Sequence, residues 1–351
     1  MITRRAVLAG GATLVASPFV SSAFGQSDTI RFATWGGGED KLYEACWIDD
    51  FNKQAGGGVQ VFDVAQPHEQ IRADGANPQY HAVTLNQVDI VGMARDGYLQ
   101  ELNPADYPEL ANVDEKYWPT VDGKLYGLPS YSSCYGIAVN TKHASDTEFE
   151  SWTSLCDPKW QGKIAVRTPV RAAQLDMTVI SVAYGNKPEE YLKSVDQFTQ
   201  YIKNARLAYT TMSQMNQLLM QGGITAGPFY ADRIVEIRKN GVKDVVFVPP
   251  KEGCLAGLYG IVVPKNIELT DKLKSLLNYM SSAEPQMRAF DYSTCIPINR
   301  KASIDVGKFR EALGYTNPDL TLNLITPDNT ALAEQLQERT NLAEKIYAGI
   351  L

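Results

Sequence analysis

YGLPSYSSCYGIAVN, residues 126–140, and PPKEGCLAGLYGIVVP, residues 249–264, are the two stretches on which the fold turns. The first is rich in Tyr, Ser and Gly, and both lie between sets of alternating strand and helix patterns. Two such connections imply a chain that passes twice between two α/β lobes, a hinged pair with a cleft between them. Ligands of open α/β sheets bind outside the carboxyl ends of the strands, and here those ends would line the cleft.

Working outward, residues 29–35 (TIRFATW) alternate as a strand that Gly36-Gly37-Gly38 ends, and residues 39–52 place Leu42, Ala45, Cys46 and Ile48 on one side of a helix. Strands follow at 59–64 and 82–85, and a helix at 88–95. A second set begins with a strand at 163–166 and helices at 170–184 and 188–204. Ser213 is the expected cap of a helix over 214–221, followed by a strand at 224–229, a helix at 231–240 and a strand at 245–248. In the tail, Leu332, Leu336, Ala343, Ile346 and Ile350 fall near helical spacing, with Asp328 or Thr330 as cap. Such β-α-β alternation predicts a largely parallel sheet covered by helices.

The chain has 351 residues, 44% hydrophobic and 21% charged, which excludes a disordered, collagen-like or small disulfide-scaffold protein and leaves room for two or three domains. Its net charge is −7; the first 25 residues hold Arg4 and Arg5 and no acid, so the rest carries 31 basic against 40 acidic side chains, net −9. That surface suits neither nucleic acid nor long-range attraction of anions. The opening MITRRAVL, the apolar run to Val20 and the small residues around Ala23-Phe24-Gly25 read as a signal peptide of twin-arginine type, with the mature chain starting near Gln26. A general secretory signal is the alternative, and Pro18 argues against a membrane span. The mature protein is therefore expected in the periplasm. Five cysteines (Cys46, Cys134, Cys156, Cys254, Cys295) form no C-x-x-C, leave at least one unpaired thiol and read as small buried side chains.

The search for catalysis is almost empty. The three histidines, His68, His81 and His143, form no H-E-x-x-H, and there is no nucleophile elbow, P-loop or dinucleotide fingerprint. The Gly36–Gly38 run could bring N–H groups to an anion or simply make a turn. Cys134 lacks a histidine motif to activate it, and a scattered acid pair has no fixed spacing to search for.

At this point a resemblance enters, carried by FATWGG (32–37), VTLNQVDIVGMARDGYLQELN (83–103), DGKLYGLPSYSSCYGIAVNT (122–141), SWTSLCDPKWQGKIAV (151–166), PPKEGCLAGLYGIVVPKN (249–266) and IPINRKA (296–302), in order and spacing. The set resembles the extracellular solute-binding proteins of ABC importers, in particular the spermidine/putrescine-binding group. The resemblance implies an α/β, two-lobed periplasmic-binding-protein fold of type II, with no catalysis and no cofactor. It implies delivery of one small solute to a membrane permease, with a monomer expected. It places a first lobe at 26–133 plus 261–301 and a second at 134–260 plus 302–351.

Carried over residue by residue, the resemblance puts Trp35-Gly36-Gly37, Asn86-Gln87, Tyr131, Tyr135, Tyr230, Asp232 and Tyr259 at the cleft. Each has a plainer reading. Trp35 could be core, Asn86 a helix cap, Tyr131 and Tyr135 hinge packing, and Asp232 a surface partner of Arg233. The chain departs from the polyamine pattern where that group carries carboxylates: Pro169, Ala172 and Tyr259 stand there, with Arg167 and Arg171 nearby. A buried cationic ligand needs acid partners, whereas a guanidinium fork suits a carboxylate. The ligand expected is thus a short amino acid such as γ-aminobutyrate, or another carboxylate, with Arg167 or Arg171 on the acid, Asp232 on the amine, and Trp35, Tyr230 and Tyr259 around the methylenes. In the plainer reading both arginines are solvated helix-start residues. A true putrescine or spermidine binder is the alternative. A ferric-ion binder lacks its adjacent tyrosines beyond Phe229-Tyr230, an exported enzyme lacks a motif, and a structural protein would not need the crossovers.

Overall fold

The computed structural model describes residues 29–35, 38–317 and 322–351. The stretch expected to be a signal peptide, Gly36 and Gly37 lie outside the described residues. Twelve strands are described: β1 Ile30–Trp35, β2 Val59–Val64, β3 Ala82–Asn86, β4 Thr120–Val121, β5 Lys124–Leu125, β6 Leu128–Asn140, β7 Ile164–Arg167, β8 Ala205–Tyr209, β9 Ala226–Tyr230, β10 Val245–Val248, β11 Cys254–Val262 and β12 Leu324–Ile325.

The strand order is β2-β1-β3-β11-β6-β9-β7-β8, with β10 also on β6 and β12 also on β11. Within each lobe the pairing is parallel: β1 lies between β2 and β3, and β7 between β8 and β9. The two connections are strands, β6 and β11, and they pair antiparallel with each other and with their lobe neighbours. The expectation of a largely parallel sheet thus holds inside each lobe and fails at the crossovers, because a strand that enters one lobe from the other runs against the strands already there. Every residue of β6 is buried, as befits a strand covered on both faces.

The apolar core follows this division. One cluster gathers Tyr135, Trp152, Ile164, Phe198, Phe229 and Phe247, together with Ala343 and Tyr347 of the last helix. Two others gather Phe32, Trp47, Leu128 and Leu276, and Ala33, Leu85, Ile90 and Val262. Full burial of a side chain such as Phe32 or Phe229 contributes roughly 1.5–3 kcal/mol. Gly257 allows close approach of the crossovers: a Cβ there would sit 2.1 Å from Ser133 Oγ.

Four helices differ from their expected form. The one after β1 runs Glu39–Tyr43 and Asp49–Ala55 with a π-turn at Glu44–Ile48, and the one after β7 has the same insertion at Ala172–Asp176 between Pro169–Arg171 and Met177–Ala183. Such insertions rotate the following residues on the helix and cluster at functional sites. The expected helix 188–204 is a 3-10 segment, Pro188–Ser194, followed by an α-helix, Val195–Lys203. The helix expected over 214–221 starts earlier, at Met212, and its cap is Thr211, not Ser213: Thr211 Oγ1 accepts the Gln214 N–H at 3.1 Å. Asp328 caps the tail helix Asn329–Ala348. All five cysteines are buried and unbridged.

Candidate ligand-binding cleft

A cavity of about 740 Å³ lies where the carboxyl ends of β1, β3, β7 and β9 meet the middle of β6 and β11. Its size is that of a small-molecule site. The strand ends deliver Trp35, Asn86, Arg167 and Tyr230, while Tyr131 and Tyr259 face each other across the crossover pair, rings stacked at 5.0 Å and 20°. Trp35 is half-buried against His68, ring centroids 5.6 Å apart, and its indole N–H is buried without a partner.

One wall is basic. Arg167 is only 6% exposed. Its Nη1 donates to Tyr209 Oη at 3.4 Å and Met212 Sδ at 3.7 Å, and among the described residues it meets no carboxylate. Its Nε is buried without a hydrogen-bond partner. The guanidinium carbon lies 5.1 Å from the Tyr209 ring centroid and 6.0 Å from that of Tyr230, so its faces are covered by aromatic surface. A charge so buried costs several kcal/mol unless an anion meets it. Arg171 also lines the cavity, with Nη1 donating to Gln174 Oε1 at 2.8 Å.

The other wall is acidic. Glu39, the first residue of the helix after β1, accepts from Tyr131 Oη at 2.7 Å and from the Trp35 N–H at 3.0 Å. Burial pushes its pKa up to about 7, against the pull of these hydrogen bonds and of Arg233. Asp232 joins it at the cavity, 3.4 Å from Arg233 Nε; burial raises its pKa too, with Arg233 opposing. Glu39 was not among the residues expected from sequence. An acid in a first helical turn is ordinary compensation of the helix dipole, so nothing local marks it as a site residue.

The remaining expected residues divide. Asn86 lines the cavity and also caps the helix Gln87–Arg95, accepting the Asp89 N–H at 3.0 Å. Gln87 reaches the cavity, but its amide is engaged at both ends, donating to Tyr117 O and accepting from Asn329 Nδ2, each at 2.6 Å. Tyr135 does not line the cavity. Its hydroxyl donates to Asp176 Oδ1 at 2.6 Å and its ring packs between Trp152 and Tyr230. The structure therefore brings together Trp35, Asn86, Gln87, Tyr131, Arg167, Arg171, Tyr230, Asp232 and Tyr259, adds Glu39, and directs Tyr135 into the apolar cluster of Trp152 and Phe229.

A family model of bacterial extracellular solute-binding proteins matches residues 47–310, about three-quarters of the chain. The chain belongs to this family. Solute-binding proteins of this kind serve transport and are not enzymes. Spermidine/putrescine-binding periplasmic protein 1 of Haemophilus influenzae is 22% identical over 323 residues, spanning 89% of this chain and 88% of that one. A solved GABA receptor is 19% identical with a TM-score of 0.68, over 92% of this chain and 98% of that one. A periplasmic binding protein of A. tumefaciens R10 in complex with agropinic acid is 16% identical with a TM-score of 0.70, over 91% and 98%. These structural likenesses carry the two-lobed fold. Among the described residues no helix is long and apolar enough to cross a membrane.

Proposed function

We propose that this solute-binding protein captures a short zwitterion of the γ-amino-acid class, γ-aminobutyrate or a similar carboxylate, and hands it to the permease of an ABC importer. The observation that carries the reading is Arg167: a guanidinium 6% exposed, in the cleft wall, with no carboxylate partner among the described residues. A ligand carboxylate would satisfy it in two parallel hydrogen bonds. Arg171 lies on the same wall, Asp232 and Glu39 would take the amine, and Trp35, Tyr230 and Tyr259 would cover the methylenes. Lobes of 26–133 plus 261–301 and 134–260 plus 302–351 would close on it. Export by the twin-arginine signal, cleavage near Gln26 and a monomeric mature protein complete the proposal.

A second reading, a diamine such as putrescine, is favoured by the acid pair Glu39 and Asp232 and by the 22% identical spermidine/putrescine-binding relative. A thermal-shift panel on the mature protein separates the two. At 100 times its Kd a ligand stabilises by about 2.7 kcal/mol, a rise of several degrees. A shift with γ-aminobutyrate and none with putrescine supports the first reading; the reverse overturns it.

A further inference from the structure

Outside the lining of the cleft lies a buried carboxylate that the ligand reading leaves without a task. Asp176 is 1% exposed. Tyr135 Oη donates to its Oδ1 at 2.6 Å and Tyr201 Oη to its Oδ2 at 2.9 Å. We infer that Asp176, gripped by Tyr135 and Tyr201, is the internal counter-ion of Arg167, holding the buried guanidinium in place while leaving its fork to the cleft, and so sets how strongly the cleft prefers an anionic ligand group over a cationic one. This rests on Arg167 facing the ligand as proposed above.

Two features of the fold support it. Asp176 ends the π-turn Ala172–Asp176 in the helix that follows β7, and its partner Tyr135 packs at 4.9 Å on the ring of Tyr230, whose centroid lies 6.0 Å from the Arg167 guanidinium carbon. The strand end carrying Arg167 is fixed from the tail helix, where Tyr347 Oη donates to the Arg167 carbonyl at 2.7 Å. The two charges are coupled through the field without a direct ion pair. Burial pushes the Asp176 pKa up to about 6, against the pull of the Tyr135 and Tyr201 hydroxyls and then of the Arg167 charge and backbone N–H. A direct ion pair would fill the fork; a counter-charge at one remove lowers the cost of burying the arginine and leaves Nη2 without a hydrogen bond among the described residues. The groups that face this pair are Tyr135 on β6, Tyr201 on the helix Val195–Lys203, Tyr209 on β8 and Tyr347 on the tail helix, and the cation that lowers the Asp176 pKa is Arg167. The four tyrosines stay neutral through the physiological range, because burial raises each one's pKa.

Asp176 and a ligand anion would then share one arginine and repel each other. An anionic ligand binds more tightly when Asp176 is protonated, so wild-type affinity for butyrate rises as pH falls through about 6; Glu39 and Asp232 in the cleft add to that rise, and the share owed to Asp176 is the share that Asp176→Asn removes. The test is Asp176→Asn, which keeps an acceptor for Tyr135. Titration calorimetry at pH 7.5 should show butyrate and γ-aminobutyrate bound several-fold more tightly, and the pH dependence for butyrate flattened. If putrescine proves to be the ligand, the same variant should bind it several-fold more weakly, so the inference is tested even where the zwitterion reading fails. A second readout needs no ligand: in Arg167→Gln, infrared difference spectra referenced to Asp176→Asn should show the Asp176 carboxyl taking up its proton at least about one pH unit higher. Unchanged affinity for whichever probe binds, or an unmoved carboxyl titration in Arg167→Gln, overturns the inference.

Discussion

Replacing Arg167 with Met should have opposite consequences for binding and for stability. Met has similar reach and no charge. A carboxylate held by a guanidinium gains charge-assisted hydrogen bonds of about 1.5–3 kcal/mol each, so losing the fork should cost about 3 kcal/mol in binding, roughly a hundredfold or more in Kd. The ligand-free protein should not pay the same penalty. Arg167 is 6% exposed and among the described residues hydrogen-bonds only Tyr209 and Met212. Because Arg167 makes no direct ion pair among the described residues, Met in its place strands no bonded carboxylate and removes the cost of burying the charge. Part of that gain offsets the loss of favourable field at Asp176, which can take up a proton instead. Isothermal titration with γ-aminobutyrate gives the first number and urea unfolding without ligand the second. Affinity within threefold of wild type would refute the placing of Arg167 at the ligand. A large fall in ligand-free stability would show that Arg167 is a structural ion and refute the physical basis of the reading.

Other consequences follow from the same geometry. Glu39 and Asp176 have pKa values of about 7 and about 6 in the folded protein, above the ordinary carboxylate range, chiefly through burial. Their contribution to stability is therefore fully present at low pH and is lost as pH rises from about 4 through 7, because the unfolded chain gives up these protons first. Glu39→Gln should flatten that decline in urea unfolding between pH 5 and pH 8, and should weaken amine-bearing ligands about tenfold as one ion partner is lost. Tyr259→Ala removes one half of the stack with Tyr131, and calorimetry should show weaker binding of every ligand by about tenfold, in line with roughly 0.5–1.5 kcal/mol for an aromatic contact beyond its area. Gly227→Ala on β9, whose Cβ would meet the Ala165 backbone oxygen of β7 at 2.6 Å, should lower stability by about 1–3 kcal/mol in the same unfolding assay.

Much of the architecture could be read from residue patterns because it rests on short-range physics. The alternation in TIRFATW and the glycines after it mark β1, and the spacing of Ala343, Ile346 and Ile350 marks the tail helix. What could not be read is long-range. Residues 126–140 and 249–264 were legible as connections, but their antiparallel pairing depends on which lobe each strand enters. Tyr131 and Tyr135 stand on the same face of β6 by period two, yet they belong to different apolar clusters: Tyr131 stacks on Tyr259 at the cleft, while Tyr135 meets Asp176 in the cluster of Trp152 and Phe229. Asp176 itself sits in a mostly apolar run, and the hydroxyls that hold it, Tyr135 and Tyr201, lie 41 and 25 residues away in the chain. Glu39 has the sequence context of any helix-start acid, and its role comes from Tyr131, ninety-two residues away in the chain.

The most direct test of the account is a crystal structure of the mature protein grown with γ-aminobutyrate. The account predicts the ligand carboxylate on the Arg167 guanidinium, at about 2.7–2.9 Å as charge-assisted pairs require, with the ammonium end towards Asp232 and Glu39. A ligand in the reverse orientation, or a cleft in which Arg167 makes no contact with it, would contradict it.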